Sequence, residues 1–167
     1  LAKRLAYSLN QSKDKSRLRM IQFHQSYSYE DFVQGIRPDE NGEFRIQNGK
    51  FYNLCKLAEK NKDQKYVLII DEINRGNLSK IFGELLMLIE SDKRGQELDL
   101  TYSPDENFSV PENLYILGTM NTADRSIAMV DYALRRRFSF FDIHPQIESE
   151  KFNEFLIRQG VSKKIIK

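Results

Sequence analysis

The chain has 167 residues, 40% hydrophobic and 30% charged, which suits one compact domain and excludes extended disorder. Its formal net charge of +2 is too small to argue for a nucleic-acid partner by itself. No apolar run approaches the roughly 18 residues of a membrane-spanning helix and no charged-then-apolar leader opens the chain, so the sequence reads as cytosolic, without a membrane partner.

Leu1, Leu5 and Leu9, with Ala2 and Ala6, repeat at helical spacing from the first residue, as though a helix were already under way; both ends read as cut rather than native. Arg19-Met-Ile-Gln-Phe-His24 has strand character, and Ser28 is placed to cap a short helix that Gly35 ends. Asn48-Gly49 lies between short alternating runs and predicts the turn of a surface hairpin. A helix is expected over residues 51–60, with the single cysteine, Cys55, on its face rather than at a reactive site. The polar stretch 60–65 then reads as a solvated turn. Residues 67–70 form a continuous apolar strand of the kind covered on both faces in a parallel sheet. Asn77 would cap a helix running to Glu90 on the face of Leu78, Ile81, Phe82, Leu85, Leu86 and Ile89. A second hairpin is expected from residues 98–102 and 108–110, a buried strand over 114–118, another strand over 138–142, and a helix near 148–158. The alternation predicts an α/β fold, a mostly parallel sheet with helices on both faces, and there is no internal repeat.

Three clusters carry chemistry. Asp71 and Glu72 end an apolar strand, where open α/β sheets place their ligands. In phosphoryl transfer to water, one carboxylate holds Mg²⁺ near the phosphates and a second polarises the attacking water. The competing reading is a solvated acidic loop. After the next apolar strand comes Gly118-Thr-Met-Asn-Thr-Ala-Asp-Arg-Ser126, where Asn121 could hydrogen-bond both a phosphate oxygen and a water. An Asx-type turn with Asp124 or Ser126 as caps explains the same residues. Arg135, Arg136 and Arg137 end a short helical stretch. They suit its carbonyl end and surface ion pairs, an arginine finger reaching a neighbouring subunit's nucleotide, or nucleic-acid contact, the last weakened by the lack of interleaved aromatics.

Together, Ile69-Ile-Asp-Glu-Ile-Asn-Arg75, the 118–126 cluster and Asp131-Tyr-Ala-Leu-Arg-Arg-Arg-Phe138 resemble, in order and spacing, the Walker B, sensor and arginine-finger regions of AAA+ proteins. The Met-Asn-Thr-Ala-Asp-Arg-Ser form is similar to the signature of the McrB family of GTP-hydrolysing, modification-dependent restriction subunits. Phe23-His-Gln-Ser-Tyr-Ser-Tyr-Glu-Asp-Phe32 resembles that family's second strand and the segment after it. The resemblance implies an AAA+ P-loop NTPase large subdomain over residues 1–145 and the start of a helical lid over 146–167. It implies Asp71 as the Mg²⁺-associated aspartate, Glu72 as the catalytic glutamate and Asn121 as the asparagine tied to GTP hydrolysis. Asp124 and Arg125 complete that loop, and one or both of Arg135 and Arg136 serve as fingers. His24 and Gln25 are read as structural.

The resemblance further implies a homo-oligomeric ring with nucleotide at its interfaces, a nuclease partner similar to McrC, and DNA engaged through domains outside these residues. No Gly-x-x-x-x-Gly-Lys-Ser/Thr phosphate loop occurs in the sequence. The family would place it just before Leu1, on a strand lying between those that end at Gly118 and Asp142. The 167 residues alone are therefore expected to bind and hydrolyse nucleotide poorly. A protein-remodelling AAA+ ATPase and a non-hydrolysing assembly scaffold are the alternatives.

Overall fold

The computed structural model describes residues 1–121, 132–144, 147 and 149–162. Its centre is a three-stranded parallel sheet in the order β1 (Leu18–Gln22), β4 (Tyr66–Asp71), β7 (Leu114–Gly118). The register pairs Gln22 with Asp71 and Ile70 with Gly118, so the carboxyl ends of the strands finish together. The central strand, Tyr66-Val-Leu-Ile-Ile-Asp71, is apolar without alternation because both its faces are covered. Val67 and Ile69 pack on Ala6 of helix α1 (Ala2–Asn10), while Tyr66, Leu68 and Ile70 enter the larger core on the opposite face. That core holds α2 (Tyr29–Phe32), α3 (Lys50–Lys60) and α4 (Leu78–Phe82). The expected α/β arrangement, with helices on both faces of a parallel sheet, is present.

An aromatic cluster ties these helices to one another. Phe32 stacks on Phe51 at 4.7 Å between ring centroids and meets Phe82 edge-on, also at 4.7 Å. All three are fully buried, each worth about 1.5–3 kcal/mol in transfer terms. Helix α2 begins as Ser28 suggests, with the Asp31 carboxylate accepting from both the Ser28 amide at 3.3 Å and its hydroxyl at 3.1 Å.

Three expectations are corrected. The first hairpin exists, as β2 (Gln34–Pro38) and β3 (Phe44–Asn48), but Asn48-Gly49 is not its turn. The chain reverses at residues 39–43, where Asp39 Oδ1 accepts from the amides of Asn41 (2.8 Å) and Glu43 (3.0 Å). Gly49 instead precedes α3, pressed against the backbone of Phe32. The helix expected over residues 77–90 stops after Phe82: Asn77 does cap it, accepting from the Lys80 amide at 3.0 Å, but Gly83 at φ 54°, ψ −132° breaks it and a 3₁₀ turn follows. The apolar periodicity survives that break, with Leu78, Ile81, Phe82, Leu85 and Ile89 buried. Glu84, just beyond it, accepts from Tyr29 Oη (2.6 Å) and the Thr101 amide (3.0 Å), which anchors the turn to α2 and to the second hairpin, β5 (Glu97–Leu100) and β6 (Ser103–Ser109). Finally, residues 138–142 are not a strand. A cleft of about 550 Å³, lined by Leu5, Ile116, Thr119, Phe140 and Phe141 among others, adjoins this segment, and a strand is defined by the ladder it shares with a neighbour. Helices α5 (Tyr132–Arg137) and α6 (Glu150–Arg158) complete the described elements, the latter capped by Ser149, whose hydroxyl accepts from the Phe152 amide at 3.2 Å.

Candidate functional site at the ends of the parallel strands

Asp71 is the last residue of β4, and its backbone carbonyl accepts from the Phe23 amide at 2.9 Å, which continues the β1 ladder past Gln22. Glu72 then turns the chain sharply. At φ 53°, ψ 45° it is a non-glycine residue in the left-handed region, a conformation that costs on the order of 1 kcal/mol or more and concentrates at functional sites. The two adjacent carboxylates take different partners, Asp71 the Thr119 hydroxyl and Glu72 the Arg75 guanidinium. The Glu72 carboxylate, 19% exposed, accepts from Arg75 Nε at 3.0 Å across one 3₁₀ turn.

Beyond the strand ladder, Thr119 fastens the end of β7 to this corner. Thr119 donates its amide to the Ile70 carbonyl at 2.9 Å, accepts from the Ile73 amide at 3.0 Å, and donates its hydroxyl to Asp71 Oδ1 at 2.5 Å. Gly118, beside it, is close-packed: an added Cβ would meet Ile73 side-chain atoms at 3.0–3.1 Å. Asn121 follows two residues later, exposed, at the same end of the sheet as Asp71 and Glu72. Asp71, Glu72 and Asn121 thus share one end of one sheet. Asp124 and Arg125 lie outside the described residues.

The three arginines are not equivalent. Arg137 is held against the body, its side chain 13% exposed, with Nε donating to the Leu86 carbonyl at 2.8 Å and the guanidinium 2.8 Å from Glu90. Arg136 is largely exposed and only loosely near Glu90 at 3.9 Å, and Arg135 is exposed. His24 follows β1, exposed, with its ring edge-on to Tyr27 at 5.4 Å between centroids.

Asp71 and Glu72 present hard oxygen donors of the sort Mg²⁺ takes. Among the described residues no group of three or more His, Cys, Asp or Glu side chains could enclose an ion. A cation at Asp71 would thus complete its shell with water, phosphate or hydroxyl oxygens, the usual condition of Mg²⁺ bound alongside a phosphate chain. One contact escaped the sequence reading: Thr119 was visible only as part of a motif, and a hydroxyl directly after an apolar strand was the available signal, its register with the acidic strand end being set by the fold. Cys55 is fully buried, with its thiol pushed well up from the usual range by that burial, as expected of a core residue.

A family model described as AAA domain, dynein-related subfamily, matches residues 1–138. The type IV methyl-directed restriction enzyme EcoKMcrB subunit of Escherichia coli (strain K12) is 58% identical over 163 residues, covering 95% of this chain and 35% of that protein. The type II restriction enzyme BsuMI component YdiS of Bacillus subtilis (strain 168) is 30% identical over 142 residues, covering 77% of this chain and 40% of that protein. The chain spans roughly a third to two fifths of the length of these curated relatives.

Proposed function

The chain belongs to the AAA domain family, dynein-related subfamily, and from that premise we propose that it is part of the catalytic module of a GTP-hydrolysing motor subunit in a McrB-like, modification-dependent DNA restriction system. The observation that carries the reading is the joining of the Asp71-Glu72 strand end to the strand leading into Asn121, through the hydrogen bonds of Thr119. In this reading Asp71 holds Mg²⁺, Glu72 polarises the attacking water, and Asn121, with Asp124 and Arg125, orients that water against the terminal phosphate. Mg²⁺, when bound, neutralises charge on the phosphates.

Glu72 as observed is engaged by Arg75, so its action on water requires that ion pair to open or to be shared. Arg135 and Arg136 are the proposed fingers toward a neighbouring subunit, because both are exposed while Arg137 is committed to Glu90 and Leu86. The intact protein is proposed to assemble as a homo-oligomeric ring and to work with a nuclease subunit similar to McrC. DNA is engaged through domains beyond these residues, in the cytoplasm. Because the 167 residues contain no glycine-rich phosphate loop, they are expected to bind nucleotide weakly when isolated. Residues 1–145 form the α/β subdomain in this scheme, and the helical lid begins at 146.

The test compares GTP and ATP turnover by the intact protein in its wild-type, Glu72→Gln and Asn121→Ala forms. Glu72→Gln is expected to slow GTP turnover by about 10²–10⁴-fold, the range for removing a general base. Asn121→Ala should also slow it, with GTP preferred over ATP in the wild type. Undiminished turnover in both variants refutes the assigned roles, and a preference for ATP refutes the GTPase reading.

A further inference from the structure

We propose that Thr119 is the positioning residue for Asp71, fixing the carboxylate so that one oxygen is occupied by the threonine hydroxyl and the other is presented to the metal. The proposal rests on the reading of Asp71 as the Mg²⁺ ligand and adds to it a residue that acts through Asp71 rather than on nucleotide.

Three bonds hold Thr119 against the end of β4: its amide to Ile70, its carbonyl from Ile73, and its hydroxyl to Asp71 Oδ1. The two backbone bonds hold the Thr119 main chain in place, and its β-branched side chain has few χ1 positions, so the hydroxyl is held where Asp71 Oδ1 accepts from it. An aspartate at a strand end would otherwise interchange its oxygens by rotation about χ2, a broad and roughly two-fold torsion. With Oδ1 engaged, that interchange is opposed. Oδ2 has no hydrogen-bond partner among the described residues, and a monodentate ligand is what remains. Outer partners of this kind orient metal-holding carboxylates, and losing one typically weakens metal binding about 10–100-fold.

The same residue lies two positions before Asn121, so the anchor that holds the carboxylate also lies beside the proposed asparagine. Gly118 behind Thr119 is packed on Ile73, and the Ile73 amide is the donor to the Thr119 carbonyl.

The experiment titrates Mn²⁺ into the intact protein saturated with a non-hydrolysable GTP analogue and follows the loss of the free-Mn²⁺ paramagnetic resonance signal. Thr119→Val, which keeps the branched shape and removes the hydroxyl, should weaken Mn²⁺ binding by about 10-fold or more. Thr119→Ser should stay close to wild type, and affinity for the analogue in EDTA should be unchanged in both. Thr119→Ala, which removes the hydroxyl without adding valine's second methyl, must weaken Mn²⁺ as well, so a packing defect particular to valine is separated from loss of the donor. Wild-type Mn²⁺ affinity in Thr119→Val or Thr119→Ala, or equal weakening in Thr119→Ser, overturns the positioning role. Asp71→Asn is titrated alongside. If it leaves Mn²⁺ binding intact, the assignment of Asp71 itself fails and takes this proposal with it. If Asp71→Asn abolishes binding while Thr119→Val does not disturb it, only the role of Thr119 falls.

Discussion

Replacing Gly49 by alanine should destabilise the domain although its backbone conformation suits alanine well. With φ −76° and ψ 177°, the position carries no left-handed penalty. A glycine-to-alanine change there would ordinarily stabilise by about 0.4–1 kcal/mol through the unfolded chain. A Cβ at Gly49, however, falls 2.3 Å from the Phe32 carbonyl carbon, 2.4 Å from its oxygen and 2.7 Å from the Val33 nitrogen. These are backbone atoms, so no side-chain rotation relieves the contact. The start of α3 must move away from the end of α2, stretching the 2.6 Å bond from the Gly49 amide to the Val33 carbonyl and disturbing the Phe32 and Phe51 stack. Overpacking costs about 1–3 kcal/mol, and a weakened backbone bond adds about 1 kcal/mol. Set against the unfolded-chain gain, the net is a loss of about 2 kcal/mol. Gly42→Ala is the control: φ is +81° with nothing within 4 Å of a Cβ, so only the backbone term of about 1 kcal/mol applies. Urea unfolding followed by far-ultraviolet circular dichroism, with the slope unchanged, measures both. A Gly49→Ala protein as stable as wild type, or more stable than Gly42→Ala, would refute the close-approach argument.

Arg137→Ala should lower stability by about 2 kcal/mol, because it strips a charged donor from the Leu86 carbonyl and the partner from Glu90. Arg135→Ala should leave the urea midpoint unchanged and reduce nucleotide turnover of the assembled protein; equal urea midpoints for the two variants would contradict the distinction. Stability should also fall with acid through Glu106, whose carboxyl is held below its usual 4.5 by the Tyr52 hydroxyl hydrogen bond and, against some burial, by Lys56. A carboxylate with a depressed folded pKa stabilises above its unfolded pKa and loses that contribution as pH falls through the folded value. The loss is therefore expected from about pH 4.5 downward. Urea midpoints between pH 7 and pH 3 should decline less steeply in Glu106→Gln than in wild type, and parallel profiles would show that Glu106 contributes nothing to acid sensitivity.

Much of the fold was legible because its decisive signals are local. The uninterrupted apolar run of β4 announces a strand covered on both faces, and the strand at residues 114–118 is found with those bounds. The misreadings arose where a local signal competes with a distant contact. Asn48-Gly49 satisfies every local rule for a tight turn, yet the glycine is needed where α3 passes the backbone of Phe32, 17 positions earlier. The apolar periodicity of residues 78–89 persists through a broken helix, because burial depends on which side faces the core and not on unbroken hydrogen bonding. Gly83 was the visible breaker. What made the break stable, the Glu84 contacts to Tyr29 and Thr101, lies in other elements.

The site divides along the same line. The position of the acidic pair was readable, since four apolar residues followed by Asp-Glu mark the carboxyl end of a buried strand. The bond that joins the two strand ends was not, because Thr119 and Asp71 are 48 positions apart and meet only through the parallel register of β4 and β7. The arginines show the limit most plainly. Three identical side chains in succession carry no internal distinction, but successive helical positions point about 100° apart. Once one of them is turned inward to Glu90 and the Leu86 carbonyl, its predecessors must diverge from that direction. Arg137 is the inward one. A search for the proposed finger therefore belongs on Arg135 and Arg136, the pair the family resemblance already implied, and helix geometry together with one buried acceptor gives that choice its physical reason.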